Sequence, residues 1–235
     1  MQFYLDDPEL GRIIVKVRHG SHTISARWHD DQLHVNVPNG TPAAMLRQFI
    51  DTHRSNIVKH RSPAVTFHEG QVIECFRCTV TLGVQSVKPG YIMLKHDGES
   101  NIIVSLPTGT DFDSAFAKQN LSRALQQVMA KEAVKRLIPY AMQLAQRLGV
   151  SVKGFEIGRG KQKLGHCTSK GIIQLSRNVM FLTPELVDLI ICHELAHLQH
   201  MNHSAAFHAL CNTYLGGREK ELEAKLKRFQ WPILQ

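Results

Sequence analysis

No apolar run in the chain approaches the roughly 18 residues that a membrane-spanning helix needs. The first residues, Met1 to Asp7, carry acids instead of the basic and apolar regions of a secretory signal or transit peptide. Cysteine is scarce as well: Cys75, Cys78, Cys167, Cys192 and Cys211 are an odd count without framework spacing. That excludes a disulfide-built fold and fits reduced thiols, so the expected setting is soluble, cytoplasmic and free of membrane contact. Cys75 and Cys78 form one Cys-x-x-Cys, but no second pair completes a zinc knuckle, and a continuous strand would put the two on opposite faces. They read as ordinary residues. Also missing are a Gly-rich phosphate loop, a zinc-finger or other nucleic-acid motif, an internal repeat and any low-complexity segment.

With 235 residues, the chain can bury a real core in one large domain or two small ones. Lys and Arg exceed Asp and Glu by 28 to 20, and the excess falls in three stretches, Arg12 to Arg27, Arg159 to Lys170 and Arg218 to Arg228. Such clusters either attract polyanions or form solvated, ion-paired faces.

The chain changes character near residue 110. Between Gly11 and Pro38, three alternating runs (Ile13, Val15, Val17; Thr23, Ser25, Arg27; Leu33, Val35, Val37) are separated by turns at Gly20 and at Asp30 and Asp31. The pattern predicts an antiparallel meander. Thr41 and Pro42 start a helix that runs to about Arg61, and strands are expected at Val65–Phe67, Gln71–Leu82, Ile92–Lys95 and Asn101–Leu106. From Ser114 a helical spacing runs to a stop at Gly149, with Pro139 expected to kink or split it. Strands follow through 151–177 around a basic turn from Arg159 to Lys163, and the last, Ile172–Ser176, is placed to offer its edge to an extended substrate. The reading is α+β, with a β-rich module over 1–110 and a second module over 111–235.

The second module holds the stretch with chemistry in it, His193-Glu194-Leu195-Ala196-His197, an HExxH pattern. Two histidines four apart on a helix project from one face and can both reach one ion at about 2 Å. Glu194, about 100° round the helix, is placed to take a proton from a water on that ion. Thr183, Pro184 and Glu185 supply a capping hydroxyl, a proline at the first helical position and an acid for the first turn. The residues between are apolar on nearly every side, which predicts a buried helix. A catalytic zinc needs a third protein ligand. On an unbroken helix His200 stands about 10.5 Å along the axis from His193, whereas His203 comes within reach if the helix ends near Met201 and Asn202. Beyond it, a short helix from Ser204 is broken by Gly216 and Gly217, and a charged helix spans Arg218 to Phe229.

These residues resemble the YgjP-like metallopeptidase domain, a cytoplasmic zincin group related to the SprT-like proteins. The resemblance is carried by His193 to His197, by Asn202, His203, Ser204 and Phe207, which match the family's NHSxxF, by the Ile173–Leu175 strand and by the β-rich first half. It implies a zincin-like catalytic module with Zn2+ held by His193, His197 and His203, and with Glu194 as general base. The chain departs from the family at Lys163 to Cys167, where an Arg, Trp, Gly, Ser, Cys segment is usual, and at His208, where Trp is usual.

The expected activity is hydrolysis of peptide bonds by a zinc-activated water, with a peptide or protein as substrate. An anionic intermediate needs a second donor, for which His208, Tyr214 and His166 are candidates; His200 is left as a group near the site or an exposed helix end. The alternatives are a nucleotide pyrophosphatase, a SprT-like protease acting on DNA-associated proteins, and a closed, non-catalytic zinc module.

Overall fold

The structure, a computed structural model, describes residues 2–29, 32–61, 65–88, 90–158 and 163–234. The expected turn at Asp30 and Asp31 lies outside them, as do residues 159–162 of the basic turn expected from Arg159 to Lys163. Contacts divide the chain into two compact units, Met1–Val65 with Leu234–Gln235, and Thr66–Ile233. The compositional change near residue 110 falls inside the second unit. Among the described residues no helix is long and apolar enough to cross a membrane.

The first unit is a four-stranded sheet, β1 (Gln2–Asp7), β2 (Gly11–Arg18), β3 (Ser25–His29) and β4 (Gln32–Pro38), followed by helix α1 (Ala43–Lys59). The order is β1-β2-β4-β3, with β2 and β4 parallel and both outer pairs antiparallel. This corrects the expected meander. Consecutive strands usually pair, but the link at 19–24 can span about 20 Å, enough to carry the chain past one strand position about 5 Å wide. β4 fills the gap, and as a central strand it buries Leu33, Val35 and Val37 against Leu46, Ile50 and Ile57 of α1. Pro42 is the N-cap of α1, and the Thr41 hydroxyl donates instead to the Pro38 carbonyl.

The β1–β2 turn is bolted to α1 by Arg54, which pairs with Asp7 and, at 3.3 Å, with Glu9. Arg54 Nη1 and Nη2 donate to the two carboxylate oxygens of Asp7, each at 2.9 Å, while Asp7 Oδ1 also accepts from the Glu9 and Leu10 amides. The Arg54 bonds hold the Asp7 carboxyl well below the usual carboxylate range, against the opposing pull of burial. A depressed folded pKa contributes stability that is fully present above the unfolded value of about 4, shrinks below it, and is gone once pH passes the folded value. Asp7→Asn is therefore expected to cost about 1–3 kcal/mol at pH 7. In urea unfolding followed by Trp28 fluorescence, the gap to the parent should narrow below about pH 4; an equal gap at pH 7 and pH 3 would contradict the assignment.

The second unit opens on a sheet of identical topology. It contains β5 (Val72–Cys75), β6 (Cys78–Gln85), β7 (Met93–Asp97) and β8 (Asn101–Pro107) in the order β5-β6-β8-β7, again with a parallel central pair. A helix again follows, α2 (Ala115–Arg147). The fold thus repeats a four-strand-plus-helix plan that the sequence does not display. Val65–Phe67 is not a strand, and Gln71–Leu82 is a hairpin with Cys75 opposite Cys78, not one continuous strand.

Ser114 caps α2 by accepting from the Ala117 amide, and the helix runs through Pro139 to Arg147, closed by Gly149 with its φ of +68°. It packs on β9 (Gly154–Gly158) and on a 3₁₀ turn at Arg177–Phe181. β10 (Gly165–Cys167) and β11 (Ile172–Ser176) complete a third sheet in the order β10-β11-β9. Then come α3 (Pro184–Ala196), α4 (Ala205–Tyr214) and α5 (Glu219–Lys227). Because β11 is paired on both sides, its edge is not free; the outer strand beside α3 is β10. Arg218 and Lys225 bond Glu185 in the first turn of α3, so part of the basic excess is used in holding helices together.

Candidate metal centre

α3 is buried on nearly every side, through Leu186, Val187, Leu189, Ile190, Ile191, Cys192, Leu195 and Ala196. Pro184 stands at its first position and Glu185 in its first turn, but the Thr183 hydroxyl makes no capping bond. The helix stops at Ala196, with His197 as its C-cap. That is earlier than the expected end near Met201 and Asn202, and Asn202 is not in the left-handed region. The chain turns back in hydrogen-bonded turns through His200 and enters α4 at Ser204, which accepts from the Phe207 amide.

This early turn brings three imidazoles together. One ring nitrogen from each of His193, His197 and His203 lies within 4.8 Å of the others, and among the described residues this is the one cluster of His, Cys, Asp and Glu that could hold a metal ion. His193 Nε2 and His203 Nε2 are 3.2 Å apart. Two nitrogens bound tetrahedrally to one zinc at 2.0–2.1 Å would be about 3.3 Å apart, so this spacing suits a shared ion. His197 Nδ1 lies 3.0 Å from the His200 carbonyl. Donation there leaves Nε2 with the lone pair that a metal requires. Burial, then the neighbouring His197 and His203, push the His193 pKa down to about 4, so it is neutral at pH 7. Phe207, fully buried, lies against all three rings at centroid distances of 4.9, 4.5 and 4.8 Å.

Glu194 is 5% exposed. Burial raises its pKa to about 7, against a hydrogen bond from the Cys167 amide and the charge of Lys163. Its Oε2 is buried with no hydrogen-bond partner. An unpaired carboxylate oxygen at such depth is costly unless something polar comes to it, which fits an added group between Glu194 and the histidines. β10 presses against this carboxylate. A Cβ at Gly165 would stand 2.4 Å from Glu194 Oε1 and 2.5 Å from its Cγ.

The candidate second donors are placed as follows. His208, on α4, has its ring 6.3 Å from that of His203, and its Nδ1 lies 2.8 Å from a carboxylate oxygen of the buried Glu219. Tyr214 accepts at its hydroxyl from Gln199. His166 is exposed on β10. His200 contributes its backbone carbonyl to His197, a role for which its side chain gives no signal. Gly165 did have one available, since an isolated glycine in a strand marks close approach of another group.

No curated protein and no solved structure matches the chain. The family model described as YgjP-like, metallopeptidase domain matches residues 22–229, most of its length. With that match spanning α3, the three histidines and the strands before them, the chain belongs to the YgjP-like family.

Proposed function

We propose that the protein is a zinc-dependent metallopeptidase, with His193, His197 and His203 as the metal ligands and Glu194 as the general base. The observation that carries this reading is the unpartnered, buried Glu194 Oε2 beside three convergent imidazoles. When bound, zinc would supply Lewis acidity toward a scissile carbonyl and make a water easier to deprotonate. The chain's own groups do the rest. The Cys167 amide holds one end of the Glu194 carboxylate, the other end is free to take a proton from the attacking water, and the same carboxyl then delivers that proton to the leaving amine.

The outer position of β10 favours a polypeptide substrate. An extended peptide laid along this strand would add backbone hydrogen bonds beside Glu194, a mode of recognition that nucleotides do not use. A zincin-like arrangement, with an edge strand over the HExxH helix, is thus the fold reading that goes with the activity. The test is metal analysis of the purified protein together with parallel assays on an unfolded protein and on a nucleoside triphosphate. Zinc near one equivalent and chelator-sensitive proteolysis are expected; nucleotide hydrolysis without proteolysis would overturn the peptidase reading.

Gly165→Ala probes the same geometry from the strand side. The new methyl and the Glu194 side chain cannot both keep their places. Overpacking of this kind costs about 1–3 kcal/mol of stability, and a displacement of about 1 Å at a reacting group can cost 10²-fold in rate. Turnover is expected to fall by about that factor with metal content unchanged; full activity would mean that Glu194 need not hold this position.

A further inference from the structure

The hydrolytic centre makes no use of Cys75 and Cys78. In the β5–β6 hairpin they are direct cross-strand partners around a two-residue turn, Phe76 and Arg77. Partners across antiparallel strands stand on the same face, here the face of the buried Ile73 and Val80. Their Cα atoms are about 4.5–5.5 Å apart in such pairs, and a disulfide spans about 4.4–6.8 Å. Both cysteines are free thiols.

The turn is held in an unusual shape. Arg77 has φ +58°, the one positive value among the described non-glycine residues. A left-handed conformation in a long side chain is disfavoured and persists where surrounding contacts impose it. Three such contacts are present. The Phe76 amide donates to the Met180 carbonyl at 2.6 Å, Arg136 Nη1 donates to the Arg77 carbonyl at 2.8 Å, and the Arg77 guanidinium lies 4.6 Å from the centre of the Tyr140 ring. Together they keep the two cysteines on facing positions, with the Cys75 thiol donating to the Ile73 carbonyl at 3.7 Å.

We propose that Cys75 and Cys78 are a dithiol–disulfide couple, closed and reopened by exchange with low-molecular-weight disulfides. Cys75 is the point of entry, being partly exposed where Cys78 is buried. Its thiolate attacks one sulfur of the small disulfide, whose S–S bond breaks, and one thiol leaves. The Cys78 thiolate then attacks Cys75 in the mixed disulfide, and the second thiol leaves. Two electrons and two protons pass from the pair to the small disulfide. The bond to Cys78 and then burial push the Cys75 thiol up, so its attacking thiolate forms transiently as its proton is given up, whereas the bond from Cys75 and the charge of Arg136 favour the thiolate at Cys78, the resolving position. A metal knuckle is a poorer use of the pair, because the one candidate metal cluster among the described residues is the histidine triad. Bridging between chains is disfavoured by the burial of Cys78.

The test is incubation of the full chain with excess oxidised glutathione, acid quenching, alkylation and peptide mass spectrometry. Expected are a Cys75–Cys78 cross-link lacking two hydrogens, reversal by dithiothreitol, and unmodified Cys167, Cys192 and Cys211. Cys78→Ser should instead accumulate a glutathione adduct at Cys75. Two persisting thiols in the parent, an unresolved adduct at Cys75, or a cross-link between chains would each overturn the proposal.

Discussion

Glu194→Gln is expected to lower peptide hydrolysis by about 10²–10⁴-fold, the usual contribution of a positioned general base, while bound metal stays at the parent level. The substitution is close to isosteric, and the new amide oxygen can still accept from the Cys167 amide, so the local packing around this 5% exposed side chain has little reason to change. What is lost is the capacity to receive a proton. The nitrogen that replaces Oε2 is a donor and would face the attacking water with the wrong polarity. None of the three proposed ligands is altered, so a metal assay separates loss of the base from loss of the ion. A variant that keeps zinc and cleaves an unfolded protein as fast as the parent would remove Glu194 from the mechanism, and with it the main argument from its unpaired oxygen.

Much of the candidate site was legible because helix periodicity is rigid. Residues four apart must share a face, so His193 and His197 converge whatever surrounds them, and the apolar run from Leu186 to Leu195 foretold a buried helix. The place where that helix ends was not legible. The sequence points to an end near Met201 and Asn202, on the ground that Asn tolerates the left-handed region, but the helix ends at Ala196 in backbone-bonded turns, with His197 Nδ1 on the His200 carbonyl. The carbonyl of His200 that orients His197 could stand on almost any residue type. Spacing favoured His203 over His200 by assuming an unbroken helix through His200, and the observed geometry brings His203 in by a shorter route.

Strand order was less legible than strand existence. Alternation located β2, β3 and β4, but alternation is the same for a central strand beside its sequence neighbour and for one inserted between two others. The repeated plan of the two four-stranded sheets is hidden for the same reason, because topology is set by which edges meet while the side chains on the faces are free to differ. Cys75 and Cys78 show the cost of a missing turn signal. Phe76 and Arg77 contain none of the Gly, Asn or Asp that mark two-residue hairpins, so the run read as one strand with the cysteines on opposite faces. Tertiary contacts from Met180, Arg136 and Tyr140 impose the turn instead.

His203→Ala should weaken zinc binding by more than about 100-fold, beyond the 10–100-fold typical of residues that only orient a ligand, whereas His200→Ala should change it little. The contrast follows from what each residue offers. His203 presents Nε2 at 3.2 Å from His193 Nε2, so its removal leaves two nitrogens of α3 and the following turn to hold the ion alone. His200 offers a backbone carbonyl to His197 Nδ1, which alanine retains. The difference should also appear in stability. An ion at 100 times its dissociation constant adds about 2.7 kcal/mol to the folded state, so zinc should raise the melting temperature of the parent and of His200→Ala, with chelator reversing the rise. His203→Ala should lack that response over the same concentrations. Since Phe207 packs against His203 as closely as against the other two rings, the metal-free melting temperature of each variant must be measured alongside, to separate lost packing from lost ligation. A parent-like zinc response in His203→Ala would require another third ligand, and the close convergence of His193 and His203 would then be a matter of packing.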